Sequence, residues 1–320
     1  MTQEPRATAE AGGDHPVHGG VAISVTMIAY NSERYVRAAI DSVLAQTCAD
    51  WEILVVDNGS SDRTAEIVMS YADARIRYFR PPQALTLAEC RNLAAREAHG
   101  EWLAFLDADD LWLPRKLELQ LERVSSDASS SEVALVYART ASFSARGEEG
   151  ETIFRYAGRD LPEGSILRAL LLEGCIVPLV SAMVRRSAYW SVGGIPADYA
   201  FAEDYYLFAA VAERYRTLCV QATCCRYRVH PDSMTARLKT VSYKEALRIL
   251  ATWSKHLEPS EYRRRVAVYQ TLIGVDAIVS HRKYGEGAAR ILRDGSLWFL
   301  LRGLGSTLFR RLVLRHRPIA

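Results

Sequence analysis

Nowhere in its 320 residues does the chain hold eighteen consecutive apolar side chains, so no membrane-spanning helix is expected. Charge of either sign is not in excess: 40 Lys and Arg stand against 38 Asp and Glu, and a net +2 offers nothing for a nucleic-acid partner. Cysteine is sparse. Cys48, Cys90, Cys175, Cys219, Cys224 and Cys225 include no C-x-x-C metal spacing, which favours buried, reduced thiols in a cytosolic protein. Cys224 and Cys225 fall in a strand-like run, where neighbouring side chains point to opposite faces. Glycine-rich phosphate loops are missing as well. Neither G-x-G-x-x-G nor G-x-x-x-x-G-K-[ST] occurs, so neither a dinucleotide fold nor a P-loop is indicated. Residues 1–20 contain Gly, Ala, Pro and charge but no apolar h-region, and read as a disordered tail rather than a signal peptide. What remains is 49% apolar, enough for one large domain with a sizeable core and an appendage.

The first half alternates strand, polar loop and helix. Ile23 to Ala29 reads as a strand, followed by Tyr30-Asn31-Ser32 and a helix from about Glu33 to Gln46. Trp51 to Val56 is a second strand ending in Asp57-Asn58-Gly59-Ser60-Ser61-Asp62, before a helix over Arg63 to Tyr71. This rhythm predicts an α/β fold with a mainly parallel sheet and crossover helices, whose ligands bind beyond the carboxyl ends of the strands.

A third apolar strand, Trp102 to Leu106, runs into Asp107-Ala108-Asp109-Asp110, with Pro114 suited to the first turn of a following helix. Residues two apart in a strand share a face, so Asp107 and Asp109 are expected to point the same way. Two carboxylates that close are mutually costly unless a proton or cation relieves them. Mg²⁺ or Mn²⁺ suits such oxygen ligands; an acidic turn capping the next helix is the alternative.

These segments resemble the family 2 glycosyltransferases. The resemblance is carried in order by Tyr30-Asn31, Ser42-Val43-Leu44-Ala45-Gln46-Thr47, Val55 to Asp62, Arg91-Asn92, Phe105 to Asp110, Val192-Gly193-Gly194 and Ala202-Glu203-Asp204-Tyr205, within about residues 21–232. It implies a GT-A Rossmann-like fold, a nucleotide-sugar donor (a UDP-sugar first), a hydroxyl acceptor, a divalent metal and inversion at the anomeric carbon. The expected donor site comprises Tyr30, Asp57, Asn58, Arg91 and Asp107. Asn58 replaces the second aspartate of the commoner Asp-Asp-Gly-Ser, and its amide presents both an acceptor and donors. Tyr30 faces the base or belongs to the core. Arg91 meets pyrophosphate or a local ion pair, and Asn92 is structural. The expected metal ligands are Asp109, Asp107 and His230, with His230 otherwise an ordinary loop histidine. Asp110 either orients the site or caps a helix. By the same resemblance Asp204 is the base and Glu203 its supporting neighbour; the alternative is an acidic first turn matched to the helix dipole.

The expected division is a nucleotide-sugar half at about 21–125, an acceptor half at about 126–232, and a helical, basic extension over 233–320. Ile176 to Val184 reads as a strand feeding a helix near Arg186, and the resemblance implies that it borders the acceptor groove. From Arg290 to Arg317 seven arginines face one acid, Asp294, among Trp298, Phe299 and several leucines. That composition fits a helix on an anionic membrane surface, or a packing helix with solvated arginines. The function expected is sugar transfer in cell-surface glycan assembly, in the cytoplasm or at the inner face of the membrane. Other classes are a metal-dependent nucleotidyltransferase and a non-catalytic sugar-nucleotide binding module.

Overall fold

The computed structural model describes residues 22–144, 149–151, 156, 158–230, 233–234 and 239–279. The tail at 1–20 and the arginine-rich segment 290–317 lie outside the described residues. Strands β1 (Ile23–Ala29), β2 (Trp51–Asp57), β3 (Ile76–Phe79) and β4 (Trp102–Phe105) form a parallel half-sheet in the order β3-β2-β1-β4. Every residue of β1, β2 and β4 is buried, because helices cover both faces. Along β1 and β2 the side chains alternate between two cores: Val25, Met27, Ile53 and Val55 enter one, Ile28, Leu54 and Val56 the other.

Helices α1 (Val36–Leu44), α2 (Thr64–Met69) and α3 (Leu87–Glu97) make the crossovers. The buried residues of α1 are Val36, Ala39, Ile40 and Val43, a helical stripe of spacing three and four. Thr86 and Glu89 form a capping box that starts α3 and fixes Arg91 in its second turn. The helix expected after Pro114 is α4 (Lys116–Ser125). The Gln46 amide donates to Leu113 O (2.8 Å) and accepts from Leu117 N (3.1 Å), tying the end of α1 to its start.

The second half of the sheet is mixed. β8 (Met183–Arg185) runs antiparallel to β4 and to β6 (Val133–Ser144); β6 lies parallel to β9 (Arg216–Val229); and β9 is antiparallel to β5 (Leu111–Trp112). β7 (Glu149–Glu151) pairs with β6. The strand expected over Ile176 to Val184 is confined to β8, because Pro178 opens a 3₁₀ turn at Leu179–Ser181. Cys224 and Cys225 do not divide between faces: the β6–β9 register shifts between the Arg139↔Thr223 and Thr140↔Cys225 pairs, and both thiols enter the same core. All six cysteines are free, but Cys48 is half-buried and Cys175 exposed, so the expectation of buried thiols holds for the other four.

Helices α5 (Leu167–Glu173), α6 (Arg186–Ser191) and α7 (Glu203–Arg214) follow, and α8 (Lys239–Thr252) and α9 (Pro259–Val279) pack beyond them. Ile249, Leu250 and Trp253 of this last segment join the core that contains α7. Among the described residues no helix is long and apolar enough to cross a membrane.

Candidate active site

The chain passes from β1 to β2 and β3 on one side and returns to β4 on the other, so a crevice opens where the loops after β1 and β4 diverge. A cleft of about 1880 Å³ lies there, walled by Tyr30, Asn31, Asn58, Leu85, Arg91, Asp107, Asp109, Glu203, Asp204 and His230 among others.

The floor of the cleft beside Tyr30 and Asn31 is made by cross-linking two loops. Asn31 holds a positive φ of 46°, an Asn-tolerated conformation stabilised because its Oδ1 accepts Ser61 N–H (2.8 Å) while its own N–H donates to Ser60 Oγ (2.9 Å). Ser32 N–H donates to Thr64 Oγ1 (2.8 Å) and Glu33 N–H to Asp62 (3.0 Å). Hydrogen bonds from Thr64 and the Glu33 amide hold the Asp62 carboxyl below the usual range, against partial burial that raises it.

The acidic turn after β4 meets the end of β9 because β5 pairs with β9 at Leu111↔Arg226. Asp110, almost fully buried, accepts Arg228 N–H (2.8 Å). Arg228 Nε donates to Asp109 O (2.7 Å), and its guanidinium lies 4.8 Å from the Tyr35 ring and 4.4 Å from the Phe143 ring. His230 Nε2 then lies 2.9 Å from Asp109 Oδ2, its ring 5.2 Å from that of Tyr35, while its buried Nδ1 has no partner. Asp110 therefore orients the β9 end and caps no helix; α4 has no side-chain cap.

On the opposite wall Arg91 is buried and bridges two acids: Nη2 reaches Asp107 Oδ1 (3.2 Å) and Nε reaches Glu203 Oε1 (3.1 Å). Arg91 Nη1 and Glu203 Oε2 remain buried without partners. Burial pushes the Glu203 carboxyl up to about 7, with Asp204 adding to the rise and Arg91 opposing it. Asp204, beside it in the first turn of α7, is raised to about 6 by its enclosed position and by Asp107, again against Arg91. Asp107 is raised in the same way, by burial and by Asp109. Among the described residues, Asp107, Asp109, Asp110, Glu203 and Asp204 thus have the Arg91 and Arg228 guanidiniums as their neighbouring cations. Such an excess of negative charge favours uptake of a proton or a hard cation.

The loop before Glu203 is held from α8. Glu245, buried to 6% exposure, accepts the backbone N–H groups of Ala200 (2.7 Å), Phe201 (3.0 Å) and Ala202 (2.7 Å). A single acid on a helix gives no local sequence signal for this role.

The expected residues divide as follows. Asp109 and His230 meet on one wall, Glu203 and Asp204 stand on the other, and Asp107 is joined to Glu203 through Arg91. Arg91 forms the local ion pair, and pyrophosphate has only its Nη1 edge to meet. Tyr30 is 64% exposed on the cleft and is not part of the core. Asn58 lines the cleft, but its amide clasps the Leu85 backbone in both directions at 2.8 Å. Asp57 is not brought to the cleft. It is fully buried, with Oδ1 on Ser60 N–H (2.8 Å) and Oδ2 on the Tyr78 hydroxyl (2.7 Å) and Arg80 (3.4 Å). Its place is that of a loop former behind Asn58, a consequence of β3 supplying donors that the sequence pattern did not reveal. Asn92 is structural as expected: its Oδ1 accepts the Tyr189 hydroxyl (2.7 Å) and its Nδ2 donates to Ile195 O (2.7 Å).

Among the described residues no three His, Cys, Asp or Glu side chains converge to hold a metal by themselves. Asp109 and His230 nevertheless fit a divalent ion that completes its shell with phosphate oxygens and water, the usual habit of Mg²⁺.

The molecule has known relatives. The chain is 29% identical over 216 residues to the UDP-Glc:alpha-D-GlcNAc-diphosphoundecaprenol beta-1,3-glucosyltransferase WfgD of Escherichia coli, covering 67% of this chain and 79% of that protein. S. aureus TarS 1–349, solved with UDP-GlcNAc, superposes with a TM-score of 0.65 at 17% identity, over 86% of this chain and 79% of that one. The mannosyltransferase PcManGT of Pyrobaculum calidifontis, solved with GDP-Man and Mn²⁺, gives 0.58 at 17% identity, over 95% and 87%. At such identities the likeness to solved structures shows the GT-A fold alone. Residues 24–193 match the family described as Glycosyl transferase family 2, which is more than half of the chain. The nucleotidyltransferase and non-catalytic alternatives give way, and the chain belongs to the family 2 glycosyltransferases.

Proposed function

We propose that the protein transfers a sugar, with inversion, from a UDP-sugar to a hydroxyl of a lipid-linked glycan precursor at the inner face of the membrane, in cell-surface glycan assembly. The observation that carries this reading is the separation of two acidic groups across one cleft, Asp109 with His230 on one wall and Asp204 with Glu203 on the other, spanned by Arg91.

In that arrangement the nucleoside lies along Tyr30, Asn31, Asn58 and Leu85, and the diphosphate reaches the Asp109 wall. Asp109 and His230 would hold a divalent cation, with Asp107 close by on Arg91, and such an ion would offset the charge on the departing diphosphate without a proton. Asp204, raised to about 6, takes the acceptor hydroxyl proton as the new bond to the anomeric carbon forms and the bond to the diphosphate oxygen breaks. One displacement from the face opposite the leaving group gives inversion. Glu203 holds Arg91 and, through it, Asp107, so the two walls keep their spacing. The names of WfgD, with a UDP-Glc donor and a diphosphoundecaprenol acceptor, and the ligands of TarS and PcManGT support a nucleotide-sugar donor and a metal. The division into halves at about 125 and 232 and the helical extension beyond belong to the same proposal.

The test is a panel of UDP-, GDP- and dTDP-sugars, scored for donor hydrolysis and transfer, with and without chelator. UDP-sugar turnover that vanishes in chelator, returns with Mn²⁺ and is absent in Asp109→Ala is the expected result. Full activity in chelator would overturn the metal, and retention of anomeric configuration in the product would overturn Asp204 as base.

A further inference from the structure

The cleft does not end at the base. Beyond Asp204 it continues past Gly174 and Cys175 to α9, where Arg264, Arg265 and Tyr269 line it together with Leu172, Val268 and Leu272. Helical spacing offers both arginines a partner in Glu261, three and four residues earlier. That acid is instead engaged by both guanidinium nitrogens of Arg168. Among the described residues neither Arg264 nor Arg265 has an ion pair, and Arg265 Nε is buried with no hydrogen-bond partner.

Arg265 is also held in place. Its Nη2 donates to the Tyr269 hydroxyl at 3.0 Å, and its guanidinium centre lies 4.4 Å from the Tyr269 ring. Gly174 ends α5 at a φ of 94°, and a Cβ there would come within 2.9 Å of Arg265 Nη2 and 3.4 Å of the Tyr269 oxygen. Only glycine fits that turn and leaves the guanidinium its place. The next residue, Cys175, lines the cleft together with Glu203 and Asp204. Arg265, held against Tyr269, and the exposed Arg264 therefore line the same cleft as Asp204, and among the described residues neither is ion-paired.

We propose that Arg264 and Arg265 bind the phosphate or diphosphate ester of the acceptor, with its accepting hydroxyl at Asp204 and its apolar chain along Leu172, Val268 and Leu272. The assignment rests on the transferase reading above. Two guanidiniums match phosphate oxygens, with the unpartnered Nε adding a further donor. The remaining acids of this arm are already engaged: Glu173 accepts the Tyr156 hydroxyl (2.9 Å), and Glu261 is held by Arg168.

The experiment uses the full chain, the donor found by the panel, and one acceptor sugar in three forms: a long-alkyl glycosyl diphosphate, a methyl glycosyl diphosphate and a plain alkyl glycoside. The wild type should prefer both diphosphates to the glycoside. Arg264→Gln and Arg265→Gln should each lower kcat/KM for the diphosphates by about 10–100-fold, the weight of a charged hydrogen bond, and leave the glycoside and donor hydrolysis unchanged. Arg265→Lys should recover part of the loss. A preference for the long-alkyl over the methyl diphosphate identifies the source as a lipid; equal use identifies a free sugar diphosphate. Equal use of glycoside and diphosphates by the wild type, or a preference that survives both glutamines, overturns the site. So does a loss of donor hydrolysis in the variants, which would place the arginines on the donor. Transfer to the glycoside alone would leave the transferase reading standing while this one falls.

Discussion

Glu245 accepts the Ala202 amide proton at 2.7 Å, so a residue of α8 fixes the backbone from which Glu203 and Asp204 project. The 24–193 family match stops short of both partners. On the transferase reading proposed above, the helix that carries Glu245 holds the loop from which the base projects.

Glu245→Gln keeps one oxygen for three amide donors and should lower stability by about 1.5–3 kcal/mol, the weight of a lost hydrogen bond to a charged acceptor. Turnover should fall further than donor affinity, because the nucleotide side of the cleft is untouched. Urea unfolding and donor titration measure the two effects separately.

Asp204→Asn should reduce transfer by about 10²–10⁴-fold with donor binding unchanged. A base must be unprotonated, so wild-type kcat/KM should climb through about pH 6 and level off above it. The folded carboxyl is raised above its ordinary value of 3.8, so the folded state binds the proton more tightly than the unfolded chain. The ionised form then opposes folding above about pH 6, and that penalty fades as pH falls toward the unfolded value. The Asn variant should therefore be more stable than wild type at pH 8, with the advantage shrinking toward pH 4. Thermal melts across that range check the sign.

The parallel half of the fold was legible because β1, β2 and β4 are covered on both faces and so read as short apolar runs with polar ends. Asp107 and Asp109 were legible for the same reason: they stand at the end of such a run. The pairing of Arg91 with Glu203 spans 112 residues, and no local period contains it. Asp57 read as a ligand group because its donors, Tyr78 and Arg80, come from β3, a short half-buried strand with a weak pattern, and from the residue just after it. The bulge at Cys224 likewise depends on the register against β6, which composition does not encode.

Arg91→Met should cost about 3–5 kcal/mol, because it strands the buried Glu203 carboxylate without its cation. Restoring part of that loss by adding Glu203→Gln would show that the penalty is the unpaired carboxylate. Denaturant unfolding of the single and double variants makes the comparison.

Asp110→Ala removes the acceptor for Arg228 N–H and so loosens the β9 end that carries His230. Outer partners of a metal site typically change affinity by about 10–100-fold when lost. The Mn²⁺ concentration for half-maximal donor turnover should rise by that factor, while kcat at saturating Mn²⁺ stays near wild type. An unchanged Mn²⁺ requirement would detach His230 from the cation.

The arginine-rich stretch between Arg290 and Arg317 provides the last expectation, argued from sequence alone. Each basic residue near an anionic bilayer contributes on the order of 1 kcal/mol, so several together suffice for reversible attachment. Leu, Phe and Trp interleaved among them add apolar area that an interface can bury. Full-length protein should therefore sediment with vesicles containing anionic lipid at low salt and not with neutral ones. Raising the salt should release it, since at 0.15 M ionic strength the attraction is screened beyond about 8 Å. Truncation after Tyr284 should release it as well, with donor hydrolysis retained as the check that the catalytic part still folds. A full-length chain that ignores anionic vesicles at low salt would make this stretch a packing element, and an acceptor free in solution would then fit the cleft better than a lipid.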